Sequence, residues 1–72
     1  MVEKRGNFLY FIDSGVEAKE GVEYHVAVKI SDIIVIEEIS DEVCKIYAGT
    51  TQFKLETTID ELLKIMNRGY HR

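Results

Sequence analysis

The chain has 72 residues, a formal net charge of −4, one cysteine and two histidines. A lone cysteine excludes an internal disulfide, and with so few histidines no zinc ligand set of Cys/His spacing exists. One domain, 1–72, is expected. A chain this short buries only about 60% of the surface it exposes when unfolded, so its stability is expected to be marginal.

Charged residues make up 31% and apolar ones 46%, which places the chain among globular rather than disordered sequences. No apolar run approaches the ~18 residues needed to cross a bilayer. No apolar segment of signal-peptide length follows the charged opening Met1 to Asn7, so no signal peptide is expected. With the unpaired cysteine, this gives a soluble, cytoplasmic expectation. Residues 31–63 hold Asp32, Glu37, Glu38, Asp41, Glu42, Glu56, Asp60 and Glu61 against only Lys45 and Lys54, ahead of a basic tail with Lys64, Arg68 and Arg72. An acidic middle repels phosphate, so nucleic acid is not the expected partner, and no membrane contact is expected either.

In chain order, residues 1–6 are polar, carry no period and read as a frayed start. Phe8 to Ile12 form a β-rich run, apolar on both faces, inside a strand from Asn7 to Asp13. Ser14-Gly15 and the polar stretch Glu17 to Gly21 break it. Val22 to Ile30 alternate strictly: Val22, Tyr24, Val26, Val28 and Ile30 share one face, while Glu23, His25, Ala27 and Lys29 share the other. Ser31-Asp32 turns the chain into the β-branched run Ile33 to Ile39, which fits a pleat better than a helix. Ser40-Asp41-Glu42 is the next turn. Val43 to Ala48, a hairpin tip at Gly49-Thr50 and a return through Thr51 to Glu56 follow.

The period then changes. Ile59, Leu62, Leu63 and Met66 lie at helical spacing over 58–68. Thr58 and Glu61 form a capping-box pattern, Asp60 and Glu61 suit the positive end of the dipole, and Gly69 is a natural stop before a frayed 70–72. Short strands followed by one helix predict an α+β fold: a curled antiparallel sheet of about five strands with the C-terminal helix packed on one face.

Residues able to carry chemistry do not converge. Cys44 shares a strand face with Ile46 and Ala48 and reads as a small buried hydrophobe, since nothing in the sequence supplies it with a base. His25, on the polar side of its strand beside Glu23, reads as solvated or lightly hydrogen-bonded. Glu37-Glu38 and Asp41-Glu42 alternate in direction and lack the glycine of a calcium loop, so they read as a solvated edge. The five glycines form no phosphate loop. No catalytic, cofactor-binding or metal residue is assigned, no cofactor is expected, and the chain is expected to be non-enzymatic.

The stretch Ser31-Asp32-Ile33-Ile34-Val35-Ile36-Glu37, a hairpin with Gly49 at its tip, and Glu56-Thr57-Thr58-Ile59-Asp60-Glu61-Leu62 resembles the small flagellar FlbD-type proteins, with their swarming-motility relatives. It is also similar to the first half of a LytTR-type DNA-binding domain. The resemblance covers roughly residues 24–66 and implies strands in this order and a terminal helix opened by the same capping element. It implies no catalytic residue. The aromatic first strand and the stretch Glu17 to Gly21 depart from the flagellar pattern, and the basic second half with which a LytTR domain meets DNA is missing.

The expected function is a small bacterial or phage interaction or regulatory module acting through protein–protein contacts. Nucleic-acid binding of LytTR-like or small-barrel type and a small-ligand pocket between subunits are the alternatives. Because Phe8, Tyr10 and Ile12 alternate with Leu9 and Phe11, one set is expected to remain apolar and uncovered. Leu9, Phe11, Phe8 and Tyr10 are therefore the candidate interface residues, and self-association into a homo-oligomer through this strand is expected.

Overall fold

A computed structural model describes residues 2–15 and 21–67. The elements are β1 (Val2–Arg5), β2 (Phe8–Ile12), β3 (His25–Lys29), a 3-10 turn (Ile30–Asp32), β4 (Ile33–Ser40), β5 (Val43–Ala48), β6 (Thr51–Leu55) and α1 (Ile59–Met66). The α+β class stands. The single curled sheet of about five strands does not form: there are two three-stranded antiparallel sheets, ordered β1-β2-β3 and β4-β5-β6.

Two local reasons account for the difference. The opening residues are not frayed, because Gly6-Asn7 is a hairpin tip that pairs Arg5 with Phe8 and Val2 with Phe11. Gly6 takes φ +59, a left-handed backbone that glycine adopts without a Cβ penalty. Second, Ser31-Asp32 lies in a 3-10 turn that carries the chain from one sheet to the other instead of doubling it back. The Ile30 N–H closes on the Asn7 carbonyl at 2.9 Å, which ends the first sheet.

Each sheet turns one apolar face inward. Leu9, Phe11 and Val28 come from the first sheet, Cys44, Ile46 and Leu55 from the second, and Leu62 and Ile65 from α1; these form one buried cluster. The Phe11 ring meets Phe53 edge-on at 5.7 Å, one contact between the two sheets. The second sheet therefore supplies the cover that the sequence reading asked of the helix alone.

Several expectations shift in detail. The third strand begins at His25, because it stops pairing where β2 stops, at Ile12. Val22 and Tyr24 precede it and are exposed. On α1, Leu62 is buried, but Leu63 is 42% exposed and does not pack on a sheet; Ile65 takes the second buried position. The Thr58 hydroxyl accepts from the Glu61 N–H at 3.0 Å, so the predicted cap is present. Gly69, the frayed 70–72, Arg68, His71, Arg72 and the polar break 17–20 lie outside the described residues.

The sheets are also joined by a polar clasp. Asp13, just past β2, is buried, and its Oδ1 accepts from the Lys54 N–H at 3.1 Å and the Gly15 N–H at 2.9 Å. The Ser14 N–H and hydroxyl both donate to the Lys54 carbonyl, at 2.8 and 3.1 Å. Asp13 and Ser14 thus occupy backbone groups along the free edge of β6.

Candidate interaction surface

The four candidate interface residues divide by strand parity. Leu9 and Phe11 face inward and are fully buried, which removes them from any surface. Phe8 and Tyr10 face outward, with Ile12. Phe8 is 44% exposed and stands between Arg5 and Lys29 in the register. Tyr10 is half-buried under its neighbours. The Arg5 guanidinium lies 3.9 Å from its ring centroid, and its hydroxyl shares a 2.6 Å hydrogen bond with His25 Nδ1. His25 Nε2 lies 3.5 Å from Glu23 Oε1, and Arg5 Nε lies 3.2 Å from Glu3 Oε2. The Arg5 hydrogen bond holds the Glu3 carboxyl below its ordinary pKa.

A hydroxyl, an imidazole and a carboxylate in sequence are the elements of a proton relay. Here the Tyr10–His25 bond and the His25–Glu23 contact lie at the exposed surface of the sheet. The arrangement can hold β2 to the start of β3. With Leu9 and Phe11 in the core, the outward face of this strand is left to Phe8, Tyr10 and Ile12.

Cys44 is buried, and its thiol donates to the Thr57 carbonyl at 3.4 Å. Burial, and secondarily the Glu38 carboxylate, push the thiol pKa up, the opposite of an activated nucleophile. Among the described residues, no group of three or more His, Cys, Asp or Glu side chains could hold a metal ion. No helix among them is long and apolar enough to cross a membrane.

The exposed apolar surface lies on β4 instead. Ile34 is 68% exposed, Val35 49% and Ile39 48%. Two irregularities in the β4–β5 register explain this. Pairing skips between Ile33 and Val35 and again between Glu38 and Ser40, so Ile34 and Ile39 are each a bulged residue without a partner. A bulge re-aims its side chain, and here it turns two isoleucines outward from a strand that is already a sheet edge. Between the bulges, Ile36 pairs with Ile46 and faces the core, while Val35 pairs with Tyr47 and faces out. The Tyr47 hydroxyl donates to Glu37 Oε1 at 2.7 Å, which raises the phenol pKa and fixes that carboxylate. Val35, Ile36, Glu37, Glu38 and Tyr47 line a shallow, open recess along the edge.

The signal for this surface was present in the run Ile33 to Ile39. That run predicts a third strand, and nothing in the sequence marks which residues the bulges expel.

No protein-family model matches the chain, no curated protein is significantly similar to it, and no solved structure matches its fold significantly.

Proposed function

We propose that this chain is a small non-enzymatic interaction or regulatory module of bacterial or phage type, meeting its partner protein along β4. The supporting observation is the exposure of Ile34, Val35 and Ile39 on one strand of a domain whose other large apolar residues mostly close into the core. Large apolar side chains exposed together along one edge, bordered here by Glu37 and Glu38, mark contact sites. The edges of the second sheet differ as well: Asp13 and Ser14 cap β6, while β4 has no strand beyond it. The stretch Ser31 to Glu37, which carries the resemblance to FlbD-type chains, runs into this strand.

Site-specific crosslinking tests the proposal. A photo-reactive benzoyl-phenylalanine replaces Val35 in one version of the full chain and the exposed helical Asp60 in another. Irradiation in the cells that make the protein should give a discrete adduct from position 35 and none from position 60. Equal adducts from both, or none from position 35, would refute it.

A further inference from the structure

Given β4 as the docking surface, we infer that its occupant is an extended basic segment of another protein, with two adjacent Arg or Lys residues flanked by apolar ones, rather than a second copy of this chain. The choice follows from charge. Glu37 and Glu38 stand in the middle of the apolar strip, and Asp41 and Glu42 occupy the turn that follows. Strand parity puts Glu37 on the Tyr47 side of the sheet and Glu38 on the Cys44 side, so the two carboxylates flank the edge. Among the described residues neither makes an ion pair. The Arg5–Glu3 ion pair and the His25–Glu23 contact both lie at the other sheet. Lys45 is the cross-strand neighbour of Glu37, yet Glu37 is held by the Tyr47 hydroxyl instead.

A second copy fits this edge poorly. Symmetric antiparallel pairing about Ile36 would set Val35 against Glu37 and Ile34 against Glu38. The two Glu37 carboxylates would then stand diagonally across the seam on the same face, and the cation paired across from each is that copy's own Lys45, so neither copy brings a new partner for the other's acids. The bulges at Ile34 and Ile39 further limit the regular edge to Val35–Glu38, a common device against edge-to-edge pairing of identical sheets. A short basic strand meets neither obstacle. Its backbone spans the regular stretch, its cations reach Glu37 and Glu38, and its apolar residues lie against Val35 and Ile34. The placed Glu37 carboxylate beside the Tyr47 ring also suits a guanidinium, which pairs with carboxylates and stacks on aromatic faces.

The full chain, isotopically labelled for amide NMR, is titrated with an octapeptide of valines around two central arginines and with the counterpart carrying two central glutamates. The basic peptide should shift the amides of Ile34 to Ile39 and Tyr47, and the acidic one should shift none. Glu37→Gln with Glu38→Gln should weaken binding about fivefold, the worth of two exposed ion pairs. Raising the salt to about 300 mM should weaken it in the same direction. Equal response to both peptides, shifts centred away from β4, or no effect of the double variant would overturn the basic occupant. So would a position-35 crosslink to a second copy or to an acidic segment, and that result would leave the interaction module standing. No position-35 adduct, with the basic peptide still binding at β4, would remove the proposed function and keep the charge preference.

Discussion

Asp13 is the residue on which the joint between the two sheets rests. A buried carboxylate with two backbone N–H donors is well satisfied, and truncation takes the partner from both, of which the Lys54 N–H is at a half-buried residue. Asp13→Ala should therefore cost about 2–4 kcal/mol. A domain of this size has roughly 3–5 kcal/mol to lose, so urea denaturation should find the variant largely unfolded or close to it. Cys44 supplies a test by pH. Its folded-state pKa is raised, so the native thiol keeps its proton at pH values where the unfolded thiol has lost it. Stability is then fully present below the ordinary thiol pKa of about 8.5 and declines as pH rises above it. The slope should shrink in Cys44→Ala, and equal alkaline slopes in the two proteins would contradict the assignment.

At the scale of elements, most of the second sheet and the helix are legible from residue patterns. The bounds of β5, the Gly49-Thr50 tip, at φ +63 for Gly49, and the Thr58 cap all follow from local chemistry. The first sheet is less legible. Gly6-Asn7 is a hairpin signal, but three of the four residues before it, Glu3, Lys4 and Arg5, are charged and only Val2 is apolar, which hides that strand. Helix orientation is ambiguous for a different reason. Eight residues allow two neighbouring stripes, and packing selects Leu62 and Ile65 over Leu62 and Leu63. Leu62→Ala should accordingly cost about 2–5 kcal/mol, whereas Leu63→Ala should stay within about 0.5 kcal/mol of the wild type. Thr58→Ala, which removes the cap, should fall between them at about 0.5–2 kcal/mol. Thermal or urea unfolding of the three variants checks the order; a Leu63→Ala loss as large as that of Leu62→Ala would mean the stripe has been misplaced.

For the whole molecule, the separation of charge matters more than its sum. The acids of 31–63 lie on the second sheet, its turns and the helix, and they include the β4 surface. On the first sheet, Arg5 and Lys29 flank Phe8, which resembles part of a base-stacking platform, but Arg5 is already held by Glu3 and stacked on Tyr10. Phosphate neutralisation needs several free cations, and the chain as a whole carries −4. Labelled random duplex and single strands should therefore show no sub-micromolar binding at about 150 mM salt, a regime where non-specific constants are typically about 10⁻⁴–10⁻⁶ M. Tight binding in that assay would show that the face of β1–β3 acts independently of the acidic half. This distribution was only half visible before the fold was known. Sequence order places Arg5, Phe8 and Lys29 up to two dozen residues apart, and only the strand register sets them side by side.

The Asp13 clasp also bears on the order in which the molecule assembles. The hairpins β1–β2, β4–β5 and β5–β6 are closed by short turns and can form early, since closing a short loop costs little entropy. The bond from Asp13 to the Lys54 N–H spans 41 positions and needs both sheets already in place. It should therefore be absent from the rate-limiting transition state. Loss of the clasp should then appear almost wholly as faster unfolding, with the refolding limb of the chevron nearly unmoved. The milder Asp13→Asn variant, which keeps one acceptor oxygen, is the one to measure by stopped flow. A refolding rate that falls in step with its stability would instead make this long-range joint part of the nucleus.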